Sequence, residues 1–153
     1  MRLLERYTRA DYDSLDDFFK NYKLYVPDNF NYAIDVMDQM ALLAPDQRAM
    51  IWVNEHGEEH TFTFGDFKQM SDRAVSVLKN AGIRKGDTVL LMLKRRYEFW
   101  VIALALMKLG CVHIPATHQL QKKDIAYRIA ASGAKMVICA GDAEVLGHTD
   151  NAV

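Results

Sequence analysis

Cysteine, proline and glycine are all scarce in this chain, and neither sign of charge is in excess. Among 153 residues there are 2 Cys, 3 Pro and 8 Gly, and the formal net charge is −1. The two cysteines, set in GCVHI and VICAG, cannot make a disulfide framework. They point to a reducing, intracellular setting, with the cytoplasm as the expected compartment. So few Pro and Gly exclude a long flexible linker or a low-complexity stretch. A charge near zero gives no overall field to attract nucleic acid or anionic lipid. The opening residues, MRLLERYTRADYDSLDDFF, lack an apolar run of about 7–15 residues and turn acidic by Asp11. They read as neither a signal peptide nor a transit peptide. Lys94, Arg95, Arg96 and Glu98 interrupt the longest apolar run. No window approaches the roughly 18 apolar residues a membrane-spanning helix needs.

What is present is ordinary globular material. Apolar residues make up 50% and charged residues 25% of the chain, enough for one domain with a core. Ser14 and Asp17 give a helix start signal for a short helix over 14–23. A second helix is expected over 31–43, with Ala33, Met37, Met40, Ala41 and Ala44 on one stripe and Pro45 ending it. AMIWV (49–53) and EEHTFTF (58–64) flank NEHG and read as a β-hairpin. Thr63 and Asp66 repeat the capping signal for a helix over 64–80, closed near Gly82.

From there the pattern alternates. DTVLLML is the continuous apolar strand of a parallel sheet, and an almost wholly apolar helix follows over 97–109. Next come the strand CVHIP, a helix over 121–132 and the strand KMVIC. The fold class expected is α/β: N-terminal helices and a β-hairpin, then a parallel β-α-β-α-β unit with right-handed crossovers. The chain ends at GHTDNAV, where no closing element is expected. The apolar helix is expected to keep bare faces, and hence to drive self-association.

Few residues suggest chemistry. Cys111, His113 and His118, with Cys139 more distant, have the residue types of a zinc site. Cys111 and His113, however, fall at i and i+2 in an apolar strand, so a buried thiol and a buried histidine that bind no metal are the expectation. No G-x-S-x-G is present, and neither paired-acid run (Asp16–Asp17, Glu58–Glu59) leaves solvated positions. GIRKGD precedes a strand, which is the wrong polarity for a dinucleotide or phosphate-loop fingerprint. LKRRYE (93–98) is the one basic cluster at a strand's C-terminal end, where open α/β sheets place ligands. It lacks a glycine that would let a phosphate approach the backbone, so a solvated loop is expected there.

The order hairpin, helix, AGIRKGDTVLLML, apolar helix, LGCVHIP, helix, AKMVI resembles the opening of the acyl-adenylate-forming, or AMP-binding, ligases from Phe30 to Cys139. Within them it is most similar to acyl-CoA synthetases of the medium-chain type, through FNYAIDVMD, PATHQ and DIAYRI. The resemblance implies an ATP-dependent carboxylic or fatty acid–CoA ligase that uses Mg2+ and CoA and passes through an acyl-adenylate. It divides the chain into a helical extension, residues 1–29, and an incomplete N-terminal AMP-binding-type subdomain, residues 30–153. The family's Ser/Thr/Gly-rich phosphate loop, aromatic-Thr-Glu segment, ribose-binding Asp and C-terminal Lys find no match here. The chain is therefore expected to be inactive alone, with no cofactor bound. In related synthetases the loop after the CVHIP strand borders the CoA nucleotide pocket, which falls here on Thr117, His118 and Gln119. Those relatives have aromatic-Gly-Gly at these positions. Two other readings stay open: a truncated relative acting as an interaction module, and a flavodoxin-like nucleotide-binding domain.

Overall fold

Five residues, Thr88–Met92, form the central strand β3 of a parallel three-stranded sheet. The structure, a computed structural model, describes residues 3–150 and 152. Ahead of β3 come α1 (Leu15–Asn21), α2 (Gln39–Leu43), β1 (Arg48–Val53), β2 (Glu59–Thr63) and α3 (Phe64–Asn80). After it follow α4 (Glu98–Leu109), β4 (Val112–Pro115), α5 (Lys122–Ser132), β5 (Met136–Cys139) and α6 (Ala143–Asp150). The sheet order is β4-β3-β5, with Val89 opposite both His113 and Met136. Being central, β3 must be apolar on both faces: Val89, Leu90 and Leu91 are wholly buried and Met92 nearly so. Val89 and Leu91 pack under α3 and α4, whereas Leu90 and Met92 pack against Ile125 and Ile129 of α5. The expected α/β architecture is the observed one.

The capping signals work as read. Ser14 accepts from the Asp17 N–H, and Thr63 and Asp66 form a reciprocal capping box at the start of α3. Gly82 has φ +90° and Gly110 φ +68°, left-handed values that turn the chain out of α3 and α4 at little cost to a residue without Cβ. β1 and β2 pair antiparallel, and the Asn54 side-chain oxygen Oδ1 organises the turn by accepting from the His56 and Glu58 N–H groups.

Four expectations are corrected. The helix over 31–43 is two segments: Tyr32–Asp38 is a π-helical turn, and only Gln39–Leu43 is α-helical. Both ends of the wide turn are anchored on the end of α4. Asn31 Nδ2 donates to Met107 O at 2.6 Å, and Asp38 Oδ1 meets Lys108 Nζ at 2.7 Å. A widened turn held at both ends is how a π segment persists.

Second, α4 has no bare face of any size. Its Val101 and Leu104 are sealed by Ala33 and Met37 of the π turn, by Phe67 of α3 and by Met50 and Phe62 of the hairpin. Its Ala103, Ala105 and Leu106 face the sheet side. Only Trp100 stays largely open, at 55% exposure. The self-associating surface expected on this helix is thus occupied by the chain's own N-terminal half.

Third, the first four residues of GHTDNAV do belong to an element, α6, with Val145 buried against the α5 layer and Thr149 buried with its hydroxyl donated to Val145 O. Fourth, Cys111 precedes β4 and is only half-buried, as is His113, because β4 is an edge strand.

Among the described residues Lys108 is the one deeply enclosed cation. Its ammonium, on a side chain 7% exposed, lies 2.7 Å from both Asp38 and Asp72. Burial pulls the Asp72 carboxyl upward, but Lys108 and Lys68 outweigh it and leave Asp72 below the usual carboxylate range.

Candidate functional site at the C-terminal rim of the sheet

Parallel strands deliver all their outgoing loops to one edge, and strand order decides how those loops diverge. The loop after β3 leads to α4 on one face of the sheet. The loops after β4 and β5 lead to α5 and α6 on the other. The end of β3 is therefore the switch point of the topology, where α/β folds place ligands. Three short segments leave the strands at that edge: 93–97, 116–121 and 140–142.

The first segment is rigid. Lys94 adopts φ +54°, a left-handed backbone that non-glycine residues seldom take and that surrounding structure must enforce. Two contacts enforce it. Trp52 Nε1, on the hairpin, donates to Arg95 O at 2.6 Å, and the Lys94 ammonium meets Asp142 Oδ2 at 3.0 Å. The latter pair lies off hydrogen-bond alignment and acts as an ionic contact across the β3 and β5 loops. The Lys94 ammonium, and at longer range the Arg96 guanidinium, hold the Asp142 carboxyl below its ordinary range. Tyr97 extends the same support, its ring 5.6 Å from that of Trp52 and 4.9 Å from that of Phe62. Lys94, Arg95 and Arg96 are exposed, in keeping with the solvated loop expected there.

The second segment carries the three positions singled out from the sequence. Ala116 N–H donates to Leu91 O, continuing the ladder and setting the next residues at the rim. Gln119 N–H then donates to Thr117 Oγ1 at 3.3 Å, a tight turn that leaves Thr117 and Gln119 exposed and His118 half-buried. No interaction of Thr117, His118 or Gln119 with Lys94, Arg95 or Arg96 is seen.

The metal constellation does not assemble. Among the described residues no three His, Cys, Asp or Glu side chains are placed to hold an ion. Cys111 Sγ donates to Arg84 O, and burial, with Asp87 adding to it, pushes the thiol up in pKa. Burial pushes His113 down, toward the neutral ring. Neither group is a prepared nucleophile or base.

A hollow of 310 Å3 lies against the first segment, lined by Lys94, Arg95, Arg96, Phe99 and Trp100. A larger and more open one, 800 Å3, sits among residues 5–13 and Lys23 and Tyr25. Its charges mix both signs, and Arg9 is already engaged with Asp13 and Asp17. It selects for no ligand charge. The sequence reading found the cations of the smaller hollow by composition, but missed Trp52 and Asp142, which come from remote elements.

Among known proteins, a family model described as AMP-binding enzyme matches residues 37–152. The mitochondrial acyl-coenzyme A synthetase ACSM4 of Rattus norvegicus is 40% identical over 133 residues, covering 82% of this chain and 23% of that protein. The human mitochondrial acyl-coenzyme A synthetase ACSM3 is 34% identical over 137 residues, 86% of this chain and 23% of its own length. The solved Brucella canis acyl-CoA synthetase superposes with a TM-score of 0.74 at 27% identity, over 83% of this chain and 23% of that one. This chain thus spans about a quarter of the length of the proteins it matches. The match runs from the π turn to the end of α6, through every strand and crossover just described, and the chain belongs to the AMP-binding enzyme family.

Proposed function

We propose that the chain is the N-terminal part of an acyl-CoA synthetase, most like the medium-chain type. The whole enzyme would join a carboxylic or fatty acid to CoA at the expense of ATP, through an acyl-adenylate, with Mg2+ as the metal. The observation that carries this reading is the family match over residues 37–152, together with 40% identity to a synthetase of which these residues correspond to the smaller part. In this reading residues 1–29 are a helical extension, and residues 30–153 are a subdomain that is incomplete for catalysis. No phosphate cradle and no lysine positioned for transferring charge are found in the sequence, so the chain alone makes no acyl-adenylate.

Thr117, His118 and Gln119 are the residues we assign to the border of the CoA pocket: they follow the C-terminal end of β4, the edge at which α/β sheets bind ligands, with Thr117 and Gln119 exposed and His118 half-buried. Self-association of the chain is retained in the proposal. It would run through exposed side chains such as Leu15, Phe19 and Leu42, since α4 is covered. The compartment proposed from the sequence is the cytoplasm. The similar synthetases are named as mitochondrial, and fractionation of the source cells decides between the two.

The test begins with the coding sequence beyond codon 153. An open frame entering a Ser/Thr/Gly-rich loop is expected. Protein from that longer frame should release pyrophosphate only when both ATP and a fatty acid are supplied, while residues 1–153 release none. Acid-dependent pyrophosphate release by the 153-residue chain itself would overturn the assignment of catalysis to later segments. In the longer protein, Thr117→Ala with Gln119→Ala should raise KM for CoA and leave KM for ATP unchanged.

A further inference from the structure

The parallel sheet ends in two outer strands, β4 and β5, and their open edges are not alike. In β4 the Val112 and Ala116 N–H groups donate inward, to Asp87 O and Leu91 O. Successive residues of a strand alternate, so the groups turned outward are those of His113 and Pro115, and Pro115 has no N–H to offer. The same alternation turns Leu90 O and Met92 O of β3 toward β5, where the Ala140 N–H donates to Met92 O. Val137 and Cys139 therefore present their N–H and C=O groups outward, and among the described residues no strand lies beyond them. β5 has no charged residue, no proline and no register shift. Met136 and Ile138 pack on the layer of α3 and α4, and Val137 and Cys139 on that of α5. All four still stay half-buried, while Val89, Leu90 and Leu91 of β3 are sealed.

We infer that two copies of this chain join edge to edge through β5, antiparallel about a two-fold axis, into one continuous sheet with three strands from each copy. The inference rests on the self-association proposed above and gives it a direction that the side chains of Leu15, Phe19 and Leu42 do not. An open strand edge is a row of aimed donors and acceptors, and what matches it is another strand. The difference between the two edges decides which strand. Pairing β5 with the β4 of a second copy would leave a free edge on every copy added, and so build filaments. β4 refuses that role, because Pro115 supplies no donor and His113 holds the one outward N–H of the strand. Pairing β5 with its own counterpart uses the same residues on both sides and closes at two copies. It leaves the proline-bearing β4 edges at both ends of the joined sheet, where no further strand is welcome. Two copies of one strand related by a two-fold axis normal to the sheet run antiparallel. With only four residues in Met136–Cys139, the contact is small, and the pair exchanges readily with single chains.

The test is sedimentation velocity on the 153-residue chain at rising concentration, with amide hydrogen exchange read residue by residue by NMR. A monomer–dimer equilibrium is expected, with half of the chain paired on the order of 100 µM. As the dimer forms, exchange at the Val137 and Cys139 amides should slow, and exchange at the His113 amide, on the other edge, should not. Val137→Pro removes one outward N–H and keeps an apolar side chain, a change that an edge strand tolerates. It should weaken the dimer about tenfold or more. His113→Pro, the same change on β4, should leave the dimer as it was. Far-UV dichroism checks that the variants fold, and the exchange measurement on the unaltered chain needs no variant. The inference is overturned if dimers form while Val137 and Cys139 still exchange fast, or if His113→Pro weakens the dimer as much as Val137→Pro. It is overturned equally if those amides are protected at every concentration, which would mean that the chain covers its own edge. A dimer that survives Val137→Pro but not Leu15→Ser with Phe19→Ser overturns it too, and leaves self-association standing. A chain that stays monomeric at about 1 mM overturns both.

Discussion

Between Leu15 and Ile34 nearly every large apolar side chain faces outward, whereas in β3 residues of the same kind are sealed. Leu15 is 75% and Phe19 77% exposed; Val89, Leu90 and Leu91 are all at 0%. Both regions carry large apolar side chains, Leu, Phe, Tyr and Val among charged residues in the first and Val, Leu and Met in β3, so apolar content alone does not decide which are buried. Layering does. β3 lies between two helical layers, each built from a crossover that the parallel topology forces back over the sheet. The N-terminal segment instead crosses the surface and is held by a few polar ties, among them Tyr7 Oη to Asp35 O and Arg6 to Gln39. Edge-to-face contacts such as Tyr7–Phe30 and Tyr12–Phe18 add to these. Apolar area stabilises only where something removes it from water.

The widest expected contrast is a pair of truncations. Leu91→Ala should destabilise the fold by about 2–5 kcal/mol, because the cavity is enclosed by α3 and α4 and cannot collapse freely. Phe19→Ala should change stability by less than about 0.5 kcal/mol. Urea unfolding curves of the two variants decide it. Equal costs would mean that the N-terminal segment is buried in solution, by another copy or another chain.

A middle-sized effect should come from the join between the two regions. Lys108→Met leaves Asp38, enclosed beneath the π turn, without its partner. Removing one member of a sealed pair costs several kcal/mol. Here Asp72 is 46% exposed and water can compensate it, so roughly 1–3 kcal/mol is expected. Adding Asp38→Asn to Lys108→Met should recover part of the loss. A further drop would show that the pair is not what holds the π turn down.

Trp52→Phe should cost less, about 1 kcal/mol for one hydrogen bond, with the aromatic packing kept. Its clearer signature is local: protease cleavage within 93–97 should speed up while the urea midpoint scarcely moves. Unchanged cleavage would mean that Lys94 keeps its left-handed backbone without help from the hairpin.

How much of this was legible in the sequence follows from the range of the forces involved. Capping boxes, the closing glycines and the run TVLLM are local signals, and α3, α4, α5 and the three parallel strands lie close to where those signals put them. The π turn was not legible, because over seven residues its period resembles that of an α-helix and its anchors, Met107 and Lys108, lie some seventy positions away. α6 was hidden by Gly147, His148 and Thr149, poor helix formers that are tolerated because Val145 is buried and the Thr149 hydroxyl is satisfied. At the rim, LKRRYE announced its charge. The contacts that shape it come from Trp52 and Asp142, and a single sequence gives no sign of either pairing.

The smallest effect concerns His113, which sits on the edge strand β4 opposite Val89 and joins the sealed region to solvent. Burial disfavours its charged form, so its pKa in the folded chain lies below the ordinary value of 6.5. Above pH 6.5 the ring is neutral in folded and unfolded chains alike, and its contribution is complete. As pH falls below 6.5 the unfolded chain binds a proton that the folded chain still refuses. The unfolded state is then favoured, and stability declines until the folded ring is protonated too. Asp72 and Asp142 are depressed carboxylates, and the stability they add is lost only at lower pH, as each is protonated. Thermal unfolding should therefore show an upper slope that begins as pH falls below about 6.5 and that His113→Gln flattens, and a lower slope in the carboxylate range that it leaves intact. An upper slope that survives in His113→Gln would assign the titration to another histidine, and β4 would then be no drier than the N-terminal surface with which it is contrasted.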